Sequence, residues 1–159
     1  MKQFYISLLL TTIFFSQPVL GQINGGDGSS DKPFEISTAA DLDDVRNYLG
    51  DENTKYYFLQ TADIDLSGYS NWEPIGGGGT TDIFQGHYDG AGYTISNLTI
   101  NRPSTPNVGL FGHIGPLDSE FVNSLSIKNV HLEDVDVKGA RGTGALVGRV
   151  TEQVMKIHL

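Results

Sequence analysis

The chain has 159 residues, a formal net charge of −9 at pH 7 and no cysteine. Nucleic acid and anionic membrane surfaces are poor partners for so acidic a chain, because both would repel it. The lack of cysteine excludes a disulfide framework and a lipidated N-terminal cysteine. The 20 glycines, with many valines, isoleucines and threonines, favour turns and strands over helices. We therefore expect an all-β protein.

The N-terminus has the three parts of a secretory signal peptide. Lys2 supplies the positive end, residues 4–15 form a short apolar run, and small or β-branched residues precede Gly21. We predict that residues 1–21 are the signal peptide and that cleavage occurs between Gly21 and Gln22. The apolar run is short for a bilayer, so no membrane span is expected after cleavage. A buried strand or a membrane anchor is the alternative interpretation.

A polar segment, QINGGDGSSDKP, follows at residues 22–33. It has little to bury, so it is predicted to be a flexible leader. Gly25 to Gly28 partly matches the glycine-rich nonapeptide that binds calcium. Asp31 stands one place late and no second copy follows, so a solvated linker is the preferred interpretation. No metal or cofactor is predicted.

One amphipathic helix is predicted over residues 38–49. Thr38 and Asp41 fit a capping box, in which each side chain bonds the backbone of the other. Gly50 stands where a left-handed C-terminal cap is wanted. Three apolar residues share one face of this helix: Leu42, Val45 and Leu49. The predicted β domain, at residues 34–159, begins with a short strand just before it.

The apolar residues that follow come in pairs two apart, and successive pairs start five residues apart. The pairs are Tyr57 with Leu59, Ala62 with Ile64, Tyr93 with Ile95, Leu98 with Ile100, Leu125 with Ile127, Val130 with Leu132, and Val135 with Val137. Strict alternation would predict flat strands, whereas the extra residue predicts short strands joined by two-residue bends. Asn97 and Asn129 each stand at the second position of a predicted bend. This supports the interpretation as bends, because asparagine tolerates unusual backbone angles. The repetition indicates a coil stacked on itself; β-bulges in an antiparallel sheet are the alternative.

Two glycine-bracketed apolar stretches follow the paired strands. The residues are Gly109, Leu110, Phe111 and Gly112 in the first, and Gly144, Ala145, Leu146, Val147 and Gly148 in the second. With the blocks KPFEISTAADLDDVRNYL, YYFLQTADIDLSGYSNWEPIG, FQGHYDGAGYTISNLTI and IKNVHLEDVDVKG, they resemble the GLUG-repeat proteins over about residues 33–148. The second stretch departs from the motif at the position of its first glycine, which Ala145 occupies. Gly144 lies one residue before that position.

GLUG-repeat proteins are bacterial exported proteins, including adhesins and the non-catalytic parts of immunoglobulin-A-cleaving metallopeptidases. The resemblance implies a right-handed parallel β-helix-like solenoid, with the helix at 38–49 as its cap. It also implies a secreted or cell-surface protein that acts in adhesion or as a structural spacer. A protein or glycan ligand and further GLUG repeats in a longer chain are the expected partners. We expect the domain to be incomplete at its C-terminus, because no second cap follows Gly148.

No catalytic site is predicted. A zinc metallopeptidase needs His-Glu-x-x-His, which places two imidazoles on one helical face. The four histidines are scattered and none has a histidine partner four residues on: His87, His113, His131 and His158. Asp89-Gly90 is interpreted as a hairpin or corner turn, with His87 supporting the turn. The chain is therefore predicted not to be an enzyme.

A carbohydrate-binding or polysaccharide-cleaving β-helix is the alternative function. Asp63 and Asp65 could act as a carboxylate pair or bind calcium, as could Asp134 and Asp136. Alternation with inward apolar residues already explains these aspartates as a solvated outer face. Trp72 could stack on a sugar, but its large ring is preferred as a plug for one end of the coil. The weak ligand candidates are thus Trp72, Asp63 and Asp65.

Overall fold

A computed structural model of the chain describes five parts of it: residues 23, 25–50, 55–77, 82–115 and 126–151. Several predictions lie outside the described residues. They are the signal peptide, the cleavage site between Gly21 and Gln22, the placement of Leu125, and His158.

The described residues form a mainly β structure of short strands with one short helix. The strands are β1 (Phe34–Ile36), β2 (Tyr57–Gln60), β3 (Ile64–Asp65), β4 (His87–Asp89), β5 (Thr94–Ser96), β6 (Thr99–Asn101), β7 (Phe111–Ile114), β8 (Ser126–Lys128), β9 (His131–Glu133), β10 (Asp136–Lys138) and β11 (Val147–Val150). The helix, α1, is Ala39–Asp44 and is followed by a 3-10 turn at Val45–Asn47.

Helix α1 begins with the predicted capping box. Asp41 N donates to Thr38 Oγ1 at 3.1 Å, and Thr38 N donates to Asp41 Oδ2 at 2.9 Å. These two bonds satisfy amides that have no partner within the first turn of a helix. Leu42 and Val45 are completely buried in the core, as the apolar face predicts. The N-terminal helix is therefore confirmed.

The α-helical part is shorter than the predicted range of 38–49. It ends at Asp44, and the chain continues in a tighter turn in which Tyr48 N donates to Val45 O at 2.9 Å. Such i→i+3 bonds satisfy terminal carbonyls by narrowing the last turn. Gly50 has a φ of 82°, but it lies beyond this turn instead of directly closing the α-helix.

The glycine-rich segment before β1 is packed, which differs from the flexible leader predicted for residues 22–33. Gly28 N donates to Lys32 O at 3.1 Å, and Gly28 O accepts from Tyr57 N at 2.9 Å. Ile23 is only 3% exposed. The segment packs against the fold because Gly28 bonds the start of β2, a tertiary contact that its composition does not reveal.

Every strand pair in the structure is parallel. Sheet A has the order β1-β2-β4-β8, sheet B the order β3-β5-β9, sheet C the pair β6-β10, and sheet D the pair β7-β11. The alternative of bulges in an antiparallel sheet is therefore wrong for the described strands.

The chain visits the four sheets in the same order twice. The first complete pass runs from β4 to β7 and the second from β8 to β11, and each strand of the second pass pairs with its counterpart in the first. Parallel neighbours need a long connection between them. Here the other three sheets provide that connection, so each pass lies beside the one before it.

Buried residues pair with apolar residues of the next pass, so the core consists of columns. The columns are Phe34, Phe58, Tyr88 and Ile127 in sheet A; Ile64, Ile95 and Leu132 in sheet B; Ile100 and Val137 in sheet C; and Phe111 and Val147 in sheet D. Aromatic rings join the columns: the centroids of Phe84 and Phe111 are 5.0 Å apart and those of Tyr88 and Phe111 5.5 Å. Each large apolar side chain buried here contributes about 1.5–3 kcal/mol.

The side chains of β2 face in the opposite directions to those predicted. Tyr57 and Leu59 were expected to face inwards, but Phe58 and Gln60 are the buried residues of this strand. The Gln60 amide is satisfied inside the core, because its Nε2 donates to Ala62 O at 2.9 Å and its Oε1 accepts from Tyr88 Oη at 3.2 Å. Two further residues expected to face inwards, Tyr93 and Val135, are 40% and 36% exposed.

Glycines allow three segments of backbone to approach closely around β7. A methyl group on Gly112 would lie 2.6 Å from Gly77 Cα and 2.7 Å from Asn107 O. A methyl group on Gly148 would lie 2.6 Å from Val108 N. These neighbours are main-chain atoms that cannot rotate away, so the strands of sheet D can only pack this closely with glycine at both positions.

We predict that Gly112→Ala lowers the free energy of unfolding by about 1–3 kcal/mol, through overpacking against backbone. Gly68→Ala is the matched control, because a methyl group there meets nothing within 4 Å. Urea denaturation followed by circular dichroism measures both. Equal stability of the two variants would contradict the close packing in sheet D.

Candidate functional site

A cleft of about 210 Å³ lies on the outer face of sheet A. We call it the outer cleft. Its outward side chains come from three adjacent strands: Tyr57 and Leu59 of β2, His87 and Asp89 of β4, and Ser126 and Lys128 of β8. Ser30 and Pro33, from the packed segment before β1, form one margin.

Tyr57, His87 and Ser126 form the first row across the outer cleft, because the parallel register places them side by side. The rings of Tyr57 and His87 stack, with centroids 4.2 Å apart and an interplanar angle of 11°. His87 Nδ1 lies 3.0 Å from Ser126 Oγ. Burial lowers the pKa of His87, and the nearby Lys55 and Lys128 lower it further. The imidazole is therefore neutral at pH 7 and can both donate and accept a hydrogen bond.

Leu59, Asp89 and Lys128 form the second row. Lys128 Nζ lies 3.1 Å from Asp89 Oδ2. Burial alone would raise the pKa of Asp89, but hydrogen bonds from Asn129, Ala91 and Lys128 outweigh it and the pKa is lowered. The Lys128 side chain is 60% exposed. An ion pair this open contributes little to stability. The exposure of Lys128 leaves its charge accessible to a ligand.

Asparagines occupy two corners of the fold. Asn97 and Asn129 have φ angles of 60° and 54°, in the left-handed region that most residues avoid. Asn97 Nδ2 donates to Asp65 Oδ1 at 2.9 Å, and Asn129 Nδ2 donates to Asp89 Oδ1 at 2.9 Å. Each amide thus reaches the carboxylate that ends a strand in the preceding pass.

The structure places Asp63 and Asp65 on the exposed side, with the buried Ile64 between them. Asp65 accepts from Ser67 N at 2.8 Å, and Asp63 accepts from Thr94 N at 2.8 Å. The Asn97 amide, with help from Ser67, lowers the pKa of Asp65. Asp65 therefore bonds its own turn and the corner of the neighbouring pass, whereas Asp63 bonds the backbone at the start of β5.

Trp72 cannot stack on a sugar in this structure. Its side chain is completely buried, and its Nε1 donates to Leu110 O at 3.3 Å. Tyr69 packs edge-on at 5.0 Å between ring centroids, and the Arg46 guanidinium lies 5.4 Å above the indole. The interpretation of Trp72 as a ligand candidate is therefore wrong, because tertiary contacts enclose the ring.

The three histidines that the structure describes are not brought together. His113 is 5% exposed with Nε2 2.5 Å from Thr151 Oγ1, whereas His131 is exposed on β9. Burial, and to a smaller extent Arg149, lowers the pKa of His113. Over the described ranges, no three histidine, aspartate or glutamate side chains are grouped so that they could hold a metal ion.

The outer cleft contains residues that the sequence did not single out as a site. Tyr57 was expected to face inwards, and His87 was assigned to a turn. If the parallel register had been known from the sequence, it would have paired Tyr57 with His87 and predicted the two rows of the outer cleft. That register depends on the length of the segments between strands, which the apolar pattern does not specify.

No family model matches the chain. It is 40% identical over 132 residues to a protein of Evansella cellulosilytica named "Putative Gly-rich membrane protein", a match that covers 80% of this chain and 14% of that one. It is 38% identical over 125 residues to "Halomucin" of Haloquadratum walsbyi, covering 77% of this chain and 1% of that one. The chain therefore spans a small part of each of these relatives.

Among solved structures, the chain is similar to a "putative immunoglobulin A1 protease from Bacteroides ovatus". The TM-score is 0.43 at 28% sequence identity, over 57% of this chain and 27% of that one. In the part of the chain that the structure describes, no helix is long and apolar enough to span a membrane.

We predict that the Asp65–Asn97 bond makes stability depend on pH. The pKa of Asp65 is below its ordinary value of 3.8 in the folded state, so the bond stabilises the protein above about pH 4 and is lost as the pH falls through the lower folded value. Asn97→Gly removes the amide but accepts the left-handed backbone. The melting-temperature difference between wild type and Asn97→Gly should therefore shrink from pH 7 to pH 3.

Asn97→Ala supplies the comparison. Alanine also loses the amide and, in addition, resists the left-handed conformation by about 1–2 kcal/mol. It should be less stable than Asn97→Gly at every pH. A difference between wild type and Asn97→Gly that does not change with pH would contradict the role of the Asp65 carboxylate.

Proposed function

We propose that this chain is a non-catalytic, exported surface module of the GLUG-repeat type that acts in adhesion or as a structural spacer. The observation that carries the proposal is the strand-by-strand parallel pairing of the pass β8–β11 with the pass β4–β7. Repeats that contact only their neighbours form extended surfaces. That geometry suits a module that holds or displays a surface outside the cell.

The same proposal includes a right-handed parallel β-helix solenoid. Parallel strands joined by crossover connections are right-handed in almost all proteins, and the four sheets are visited in a constant order. Helix α1 is the N-terminal cap in this proposal. Its Leu42 and Val45 are buried in the core, and Tyr69 Oη donates to Ala39 O at 3.5 Å.

The two relatives support a surface location. One is named a Gly-rich membrane protein and the other halomucin, and the chain matches 14% and 1% of their lengths. We propose on this basis that the chain is one module of a secreted or cell-surface bacterial protein, with further GLUG repeats as its neighbours.

The bonding of the aspartates supports a non-catalytic role. Asp63 and Asp65 each accept a backbone amide at 2.8 Å. A carboxylate engaged in holding a turn is poorly placed to transfer protons to a substrate. The proposal therefore assigns these residues to the architecture.

We predict that the purified protein releases no reducing ends from acidic or neutral polysaccharides in a sugar-release assay. Asp63→Asn should unfold in a single cooperative step like wild type, which shows that the variant is folded. Turnover by wild type that is lost in a folded Asp63→Asn variant would overturn the non-catalytic role.

A glycan ligand in the outer cleft is the second candidate function, and one observation favours it. The stacked Tyr57 and His87 rings provide an apolar and aromatic surface beside the Asp89–Lys128 ion pair. Sugars are bound by such combinations of apolar contact and a few placed polar groups. The neutral imidazole of His87 adds a donor or an acceptor.

We predict that any glycan captured by wild type on a glycan array is bound up to about ten-fold more weakly by Tyr57→Ala, since the loss of one aromatic contact costs about 0.5–1.5 kcal/mol and 1.4 kcal/mol is ten-fold in affinity. Tyr93→Ala is the matched control, because Tyr93 is 40% exposed and does not line the outer cleft. Binding that persists in Tyr57→Ala, or that is lost equally in Tyr93→Ala, would exclude the outer cleft.

A further inference from the structure

The outer cleft gathers positive charge in a chain that is acidic as a whole. Lys128 and Asp89 are the two charged side chains among the described residues that line it. Burial lowers the pKa of His87, and the ammonium groups of Lys55 and Lys128 lower it further, so the electrostatic potential at this ring is positive. Exposed charges more than about 8 Å apart are largely screened at physiological salt. A ligand in the cleft therefore responds to the nearby cations more than to the net charge of −9.

The carboxylate of Asp89 is already held by the corner of the fold. Its Oδ1 accepts from Ala91 N and Asn129 Nδ2, each at 2.9 Å, and its Oδ2 lies 3.1 Å from Lys128 Nζ. The next carboxylate along the row belongs to Glu35 of β1, which does not line the cleft. An ammonium group has three donors, and Asp89 occupies one donor of Lys128. Because the Lys128 side chain is 60% exposed, the other donors can bond a ligand anion.

Uncharged donors and acceptors lie beside this ion pair. The His87 Nδ1 and Ser126 Oγ atoms are 3.0 Å apart, and both side chains keep hydrogen-bonding capacity beyond this shared bond. Ser30 adds a hydroxyl at the margin, and Tyr57 and Leu59 add apolar surface. Sugar hydroxyls need such donors and acceptors, and the C–H faces of a sugar ring pack on such apolar surface.

The size of the outer cleft favours one sugar unit as the ligand. Sites for drug-sized molecules have volumes of about 300–1,000 Å³, whereas this cleft has about 210 Å³. A long polyanion would also extend over the acidic remainder of the surface, which would repel it. A single acidic sugar places one negative charge at Lys128 and leaves the rest of the ligand uncharged.

We propose that the outer cleft binds a single sugar unit that carries one carboxylate, as a uronic acid does. This proposal rests on the second candidate function, a glycan ligand in the outer cleft. The sugar carboxylate bonds Lys128 Nζ, and the sugar ring packs beside Tyr57. A ring hydroxyl bonds the His87–Ser126 pair. Asp89 shares Lys128 with the ligand, so it limits how tightly the acidic sugar is held.

The test is a nuclear magnetic resonance titration of the purified protein with three probes: methyl glucuronide, methyl glucoside and acetate. The glucoside has the ring without the carboxylate, and acetate has the carboxylate without the ring. Wild type should bind the glucuronide about five-fold more tightly than the glucoside, the upper range for an exposed ion pair. Acetate should bind more weakly than the glucuronide. The amide shifts should change in β2, β4 and β8.

Two substitutions should change the ratio of glucuronide affinity to glucoside affinity in opposite directions. Lys128→Gln should lower the ratio to about one, because the ion pair with the sugar carboxylate is lost. Asp89→Asn should raise it above the wild-type value, because Lys128 is released and a like charge is removed. Lys138→Gln is the matched control, with the same charge change on a side chain 62% exposed outside the outer cleft. It should keep the wild-type ratio.

The outcomes separate this inference from the glycan function on which it rests. Equal affinity for glucuronide and glucoside would leave the glycan function standing and overturn the acidic-sugar inference. Acetate bound as tightly as the glucuronide would show a bare anion site and would also overturn it. If neither sugar binds although the glycan array captures a ligand, the inference alone fails; if the array is also empty, both fail. Circular dichroism of each variant verifies that it is folded.

Discussion

Parallel pairing at a constant register between successive passes is the constraint on which the rest of this structure depends. It places Phe58 beside Tyr88 and Ile64 beside Ile95, so buried residues meet buried residues along each sheet. The same register orders the outer face, where Tyr57 lies beside His87. A shift of one residue would exchange the two faces of every strand. Core and surface are thus consequences of one hydrogen-bonding pattern.

The register can be kept only if the chain turns at the same places in each pass. Asn97 and Asn129 turn the chain with left-handed backbone, and their amides bond Asp65 and Asp89 in the preceding pass. Asp134 is also left-handed, with a φ of 51°. Small polar residues suit such corners, because they accept the strained angle and satisfy exposed backbone groups. The hydrogen bonds at these corners therefore hold each pass in register with the one before it.

The outer cleft is a consequence of stacking. Pairing in register brings outward side chains from three strands into two rows on the outer face of sheet A, with Tyr57 beside His87 and Asp89 beside Lys128. The glycan candidate depends on these rows, because no single strand supplies both the stacked rings and the ion pair.

Much of the local structure could be predicted from the sequence. Thr38 and Asp41 specify the capping box, Leu42 and Val45 specify the buried face of α1, and the five-residue spacing specifies short strands separated by bends. Those features depend on residues close together in the chain. The inward direction of β2 could not be predicted, because the polar Gln60 is buried and satisfied by Tyr88, a residue 28 positions away.

The sequence by itself determined the composition of the strands, the helix cap and the residues able to turn the corners, since these depend on local propensity and spacing. Only the tertiary structure decided that Trp72 is enclosed, that the segment before β1 is packed, and that Tyr57 faces a cleft. The physical reason is the same in each case. Burial is set by which segments of chain meet, and these contacts join residues that are far apart in the sequence.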